Sequence, residues 1–264
     1  MNYDSYRHLS FFYRGRTLTM TLNRPDKLNA VDALMHEELS RAFYDVAVDD
    51  EADVIILTGE GRAFSAGGDI DWLERMIDDK QLWERTRVEA KKIVFGILDC
   101  EKPVIAKVNG AAVGLGATMA LFCDVTFAAE SAKLADPHVG VGLVAGDGGA
   151  IIWPQLIGYA RAKEYLMTGD SIKAADAERI GLINHCVDDD ELDKSVDEFA
   201  DRLANGATQA IRYSKTAVNI GLRQLAHSIM DASIAYESLT NDTADHREAL
   251  LAFKEKRAPK FSGG

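Results

Sequence analysis

The segment ADPHVGVGLVAGDGG (135–149) places His138 directly after a proline and Asp147 nine residues further on. A free imidazole titrates near about 6.5, which suits proton transfer at neutral pH. A carboxylate beside it would fix its tautomer and stabilise the imidazolium. His138 and Asp147 are therefore candidates for moving protons. Asp147 also reads as the N-cap of the helix that GGAIIWPQLIG suggests, and the two roles are compatible. Two further stretches could hold negative charge. RAFSAGGDI (62–70) and NGAAVGLGA (109–117) are small-residue turns that follow a buried strand and open a helix. The first N–H groups of a helix lack internal partners and carry partial positive charge. Two of them aimed at one spot would stabilise a developing enolate oxygen. Each turn taken alone is also an ordinary strand-to-helix connection.

The elements that must position these residues are legible as patterns. Residues 8–13 and 17–22 flank Arg14-Gly15-Arg16 and predict a β-hairpin. Asp32 caps a helix through about Val48, with Leu34, Leu39, Phe43 and Val46 near helical spacing. Residues 53–58 predict a buried strand, and a polar helical stretch runs from about Asp69 to Leu98. Residues 103–108 predict a strand, 115–122 a helix, and 124–128 and 132–135 two more strands. Residues 148–168, 174–180 and Val187 to about Leu203 predict helices, and 208–256 is helical almost throughout. The recurring strand–strand–helix order implies an α/β body over 1–204 and a helical region over 205–264.

A chain of 264 residues with an ordinary apolar fraction suggests one large domain, with or without a small appendage. A formal charge of −12 disfavours binding to a nucleic-acid backbone, while leaving room for a local basic pocket for a small phosphorylated ligand. Cys100, Cys123 and Cys186 form no CxxC pair and read as buried thiols in a reducing compartment. The start of the chain has no apolar leader, and no apolar run approaches the roughly 18–20 residues of a membrane span. The expectation is a cytoplasmic protein.

Several of these stretches together resemble the enoyl-CoA hydratase/isomerase (crotonase) superfamily. RAFSAGGDI is similar to its first signature loop, and KVNGAAVGLGATMALFCDVTFAAESAKLADPHVGVG to its second with the strand and loop that follow. LNRPDKLNA resembles its early coenzyme A loop, TGDSIKAADAERIGLINHCV its later helical segment and DHREALLAFKEKRAPKF its C-terminal end. The resemblance implies a spiral of ββα units followed by a helical trimerisation region. It implies an acyl-CoA thioester substrate, coenzyme A as part of that substrate and no other cofactor or metal, and a homotrimer or homohexamer. The two enolate-stabilising amides carry over to Ala66 and Leu115, the latter where the family usually has glycine. Lys27, Leu28 and the stretch Ala66, Gly67, Gly68, Asp69, Ile70 should line the coenzyme A and substrate site, with Arg24 and Arg62 as candidate phosphate partners. Phe253 and Lys256 would reach the coenzyme, in this subunit or a neighbouring one.

The sequence departs from that pattern where the best-known hydratases carry two glutamates: Thr118 and His138 stand there instead. Thr118 reads as packing or as orienting water. Hydration needs a base for water and a proton donor to the α-carbon, so the two-glutamate mechanism cannot transfer intact. Isomerisation with one proton carrier, hydration by a single base, and retro-Claisen hydrolysis of a β-keto thioester with a His138–Asp147 pair all remain open, as does a noncatalytic acyl-CoA binder. Glu84 and Glu89 read either as a solvated helix face or as reserve acids, and Trp72, Met76, Leu82 and Trp83 are either acyl-pocket lining or core. GVGLVA (140–145) matches GxGxxA, the weaker sign of a dinucleotide enzyme, which requires a strand before it and a helix after it.

Overall fold

In the computed structural model, which describes residues 1–264, β1 (Leu9–Arg14) and β2 (Thr17–Leu22) form the antiparallel hairpin, turning at Gly15 in the left-handed region (φ 59°). Asp32 caps α1 (Ala33–Ala47) by accepting from the Met35 N–H at 2.9 Å. Three strand–strand–helix units follow. The first has β3 (Val54–Gly59), β4 (Ala63–Ser65), α2 (Ile70–Asp78) and α3 (Lys80–Asp99). The second has β5 (Val104–Val108), β6 (Ala111–Val113) and α4 (Leu115–Phe122). The third has β7 (Val125–Ala129), β8 (Lys133–Ala135) and α5 (Gly149–Thr168). The first strand of each unit joins one sheet and the second strand joins another. Their orders are β1-β2-β3-β5-β7-β10 and β4-β6-β8-β9, with β9 (Ile172–Lys173) ahead of α6 (Ala174–Arg179) and β10 (His185–Val187) after it. All pairs from β2 to β10 in the larger sheet are parallel, as are β4–β6 and β6–β8. This repetition is the spiral the resemblance implies. It brings the turn after β4 and the turn after β6 side by side.

The structure corrects three boundaries. The helical stretch from Asp69 to Leu98 is two helices broken at Asp79, whose carboxylate caps α3 through the Leu82 N–H at 3.0 Å. Val187 is not helical: it closes β10 opposite Ala129, and α7 (Leu192–Ala204) begins after an acidic turn. Strands β4 and β6, three residues each, were hidden inside the glycine-rich loops. The C-terminal α8 (Thr208–Asn241) packs back on α3 and α5, and α9 (Ala244–Lys254) packs on α2. No helix is long and apolar enough to cross a membrane.

Candidate active site

The turns after β4 and β6 and the loop after β8 open into one cavity of about 650 Å³. The helices α2 and α3 supply Trp72, Met76 and Trp83 to its wall, and α8 supplies Ile234 and Glu237. Lys27 and the C-terminal Phe253, Lys254 and Lys256 line it as well.

Backbone pairing decides which amides of the first turn are free. The Ala66 N–H donates to the Leu28 carbonyl at 2.9 Å, and the Gly67 N–H donates to Ser65 Oγ at 3.2 Å. Val31 is paired alongside: its N–H donates to the Gly67 carbonyl at 2.7 Å and its carbonyl accepts from the Asp69 N–H at 2.9 Å. The Gly68 N–H, between these bonds, donates to no protein acceptor. Ala66, expected as a donor to the substrate, is thus already committed, and Gly68 has the free amide. Gly67 lies at φ +84°, and a Cβ there would meet the Val113 carbonyl at 3.0 Å, so glycine is required for the two turns to approach. In the second turn, the Gly114 N–H donates to the Ala135 carbonyl at 2.9 Å. Leu115 is the first residue of α4, so its N–H has no acceptor within the helix. A Cβ built on Gly114 would stand 3.7 Å from His138 Cε1 and 3.8 Å from Gly67 Cα. Both turns and the imidazole therefore meet at one place.

His138 stands between two carboxylates. Its Nδ1 is hydrogen-bonded to Asp136 Oδ1, and its Nε2 lies 3.6 Å from Asp147 Oδ2. Asp136 is buried and its Oδ2 has no partner, so the imidazole is its only protein hydrogen-bonding contact through the carboxyl group. Burial opposes charge on His138, but Asp136 and then Asp147 outweigh it and push its pKa up to about 10. The two carboxylates therefore favour the charged form of the ring. Burial raises the pKa of Asp147, His138 pulls it down, and Asp136 adds to the rise. Thr118 Oγ1 donates to Asp147 Oδ1 at 3.4 Å. Asp147 is not the N-cap: Gly148, at φ 131°, occupies that position without a side-chain cap. Glu237 also lines the cavity, its carboxyl group makes no protein hydrogen bond, and burial followed by repulsion from Asp147 pushes its pKa up to about 8.

Residues 14–264 match the family model described as enoyl-CoA hydratase/isomerase. The chain belongs to the enoyl-CoA hydratase/isomerase family. It is 35% identical to a short-chain-enoyl-CoA hydratase of Clostridium acetobutylicum, covering 92% of this chain and 93% of that one. It is 34% identical to the 1,2-epoxyphenylacetyl-CoA isomerase of Escherichia coli, covering 97% and 98%. A crystal structure of an enoyl-CoA hydratase/isomerase from Mycobacterium paratuberculosis superposes with a TM-score of 0.89 at 38% identity, covering 92% of this chain and 97% of that chain. The protein is thus an acyl-CoA enzyme of this hydratase/isomerase family, with the crotonase fold.

Within this family member, Lys27, Ala66, Gly67, Gly68, Asp69, Ile70 and Leu115 line the cavity, as do Phe253 and Lys256 of the same chain. Leu28 does not: it adopts φ 53° at the end of a short 3-10 turn, and its carbonyl seats Ala66. Thr118 is fully buried behind the lining and acts on Asp147. Arg24 is occupied by the Ala30 carbonyl, Asp32 and Asp69, and Arg62 is exposed away from the cavity. Glu84 is exposed and paired with Arg87; buried Glu89 is held by His36 and Arg85, which outweigh burial and keep its pKa below the usual range. Trp72, Met76 and Trp83 line the cavity and Leu82 does not. Residues 140–145 form part of a 3-10 turn and an irregular loop, so the dinucleotide fingerprint has neither its strand nor its helix. Sequence reasoning passed over Asp136, although it lies in the segment that nominated His138. Glu237 carries no local signal, because only the fold-back of α8 brings it here.

Proposed function

We propose that the protein holds the carbonyl oxygen of an acyl-CoA thioester between the Gly68 and Leu115 N–H groups and processes it through an enolate. The observation that carries this reading is the convergence of those two turns with the His138–Asp147 pair on one cavity. Donors fixed in advance on a developing negative charge need no reorganisation during reaction. Lys27 and Lys256, neither of them ion-paired, supply positive charge for the coenzyme's phosphates in an otherwise acidic protein, and coenzyme A enters only as part of the substrate.

Two carboxyl groups take the place of the missing glutamates. Burial raises the pKa of both; His138, against Asp147, opposes the rise there, while Glu237 is pushed up to about 8. We assign Asp147, in contact with the imidazole, as the base and Glu237 as the acid. In hydration, Asp147 takes a proton from water as the oxygen bonds to Cβ. The electron pair of the double bond moves onto the thioester oxygen, and Glu237 delivers a proton to Cα. Isomerisation uses the same groups to remove one proton and return it elsewhere. The placement of His138 against Asp147 favours one second reading, retro-Claisen hydrolysis. There the pair activates water toward a β-carbonyl, the Cα–Cβ bond breaks, and its electrons enter the same enolate.

The test is a panel of 2-enoyl-, 3-enoyl- and β-keto-CoA thioesters followed by mass spectrometry. Water gain indicates hydration, a shifted double bond without mass change indicates isomerisation, and two fragments indicate hydrolysis. Asp147→Asn and Glu237→Gln should each lower kcat by roughly 10²–10⁴-fold. A panel left wholly unconverted by the wild-type protein, or variants as active as wild type, would refute the reading.

A further inference from the structure

The Asp136 carboxyl group has no part in the reaction above, yet the backbone around it is shaped to admit it. Asp136 lies in the loop after β8 and is only 1% exposed. Its Oδ1 holds His138 Nδ1, and its Oδ2 has no hydrogen-bond partner. The carboxyl group therefore ties down no backbone amide, and what it does it does through the imidazole. The run Gly146-Asp147-Gly148-Gly149 makes room for the whole cluster. A Cβ at Gly149 would collide with Asp136 Oδ2; at Gly148 it would meet Thr118 Cγ2 at 2.8 Å, and at Gly146 Glu237 Oε2 at 2.6 Å. Of these three glycines only Gly148 has a positive φ, so at 146 and 149 it is space that excludes a side chain. Gly149 is the first residue of α5, where an alanine would favour the helix. Burying a carboxylate against a single partner also costs stability, which the N-terminal end of the 20-residue α5 offsets only in part. Ionisable groups held at such cost cluster at functional sites.

Resting on the acyl-CoA reading above, we infer that Asp136 is a positioning residue: by anchoring Nδ1 it turns Nε2 of the same ring onto Asp147, the base. A carboxylate on Nδ1 fixes both the proton on that nitrogen and the orientation of the ring. Nε2 then stands 3.6 Å from Asp147 Oδ2, while Thr118 Oγ1 donates to the other oxygen of Asp147. Burial opposes charge on the ring, and Asp136 is the larger of the two carboxylate influences that outweigh it, Asp147 the smaller, with Glu237 of α8 adding to both. From α1, His36 lowers the pKa of Asp147. From α9, His246 is committed to the Val141 carbonyl at 2.6 Å.

The test is a pH titration of the protein by NMR with ¹⁵N-labelled histidine, without substrate, the His138 signal being assigned by its loss in His138→Gln. Asp136→Asn keeps the shape of the side chain and removes its charge. It should lower the His138 midpoint by at least about one pH unit, and by more than Asp147→Asn does. Gly149→Ala keeps every ionisable group and displaces only Oδ2, so it should move the midpoint in the same direction. On the thioester the wild type converts, Asp136→Asn should lower kcat by about 10²-fold with KM little changed. The alkaline limb of its kcat/KM profile should move to lower pH. A His138 midpoint that neither variant moves overturns this inference and leaves the acyl-CoA reading standing. So does a fall in kcat with an unaltered pH profile, which would make Asp136 merely structural. A wild-type protein that converts no thioester would instead refute the acyl-CoA reading, and this inference with it.

Discussion

A charged imidazole between Asp136 and Asp147 and a neutral carboxyl at Glu237 make the centre of this site sensitive to pH in a defined direction. The folded protein holds the Glu237 proton up to about pH 8, whereas an unperturbed glutamate releases it near 4.5. Between those values the native state binds the proton and the unfolded chain does not, so stability falls as pH rises. His138 acts in the same sense: its contribution is complete below the unperturbed 6.5 and is lost as pH rises through about 10. Glu237→Gln keeps the shape and removes the titration. Urea unfolding should show this variant more stable than wild type at pH 9, by an amount on the order of a few kcal/mol, with the difference vanishing near pH 4.5. A variant no more stable than wild type at pH 9 would mean that Glu237 does not carry a proton in the fold. The pairing of His138 with Asp147 was legible because the two lie in one short loop. The free amide of Gly68 was not, since it depends on Val31, some 37 residues earlier, occupying the flanking groups.

The elements matter chiefly because they bring two turns close enough to share one oxygen. Gly116, in the first turn of α4, packs on the strand before the other turn: a Cβ there would lie 2.7 Å from Ser65 Cβ and 3.0 Å from Ser65 Oγ. Ser65 Oγ in turn donates to the Asn29 carbonyl and accepts from the Gly67 N–H, so it cannot move independently of that turn. Gly116→Ala should therefore push the turns apart, lowering kcat by about 10²-fold while the protein still folds, because misplacing catalytic groups by an ångström has that order of effect. Circular dichroism and steady-state kinetics on the same sample check this, and wild-type kcat would contradict it. The sequence showed five of the six strands of the larger sheet, since runs such as β3 and β5 are apolar with clear ends, but it missed β10. It hid β4 and β6, because three residues are too few to show a period and their pairing is nonlocal. It also merged α2 with α3, although Asp79 is a capping residue, because no glycine or proline marks the break.

At the scale of the whole molecule, the C-terminal helices do two things: α8 contributes Glu237 to the cavity, and the same region leaves Tyr213, Val218, Ile220, Tyr236 and Leu239 exposed. We propose that this apolar surface is covered by further copies of the chain, as the resemblance to trimers and hexamers implies. Sedimentation should give three or six times 28.9 kDa, with Val218→Asp and Leu239→Asp together shifting it toward a single chain. A wild-type protein sedimenting as one chain would contradict that assembly. The central claim concerns the two backbone amides, and isotope-edited infrared difference spectroscopy tests it most directly. With an unreactive acyl-CoA carrying ¹³C at the thioester carbonyl, two hydrogen bonds from Gly68 and Leu115 should move the bound carbonyl band to a lower frequency than in water. A bound carbonyl band at or above its position in water would mean that no such pair of donors grips the oxygen.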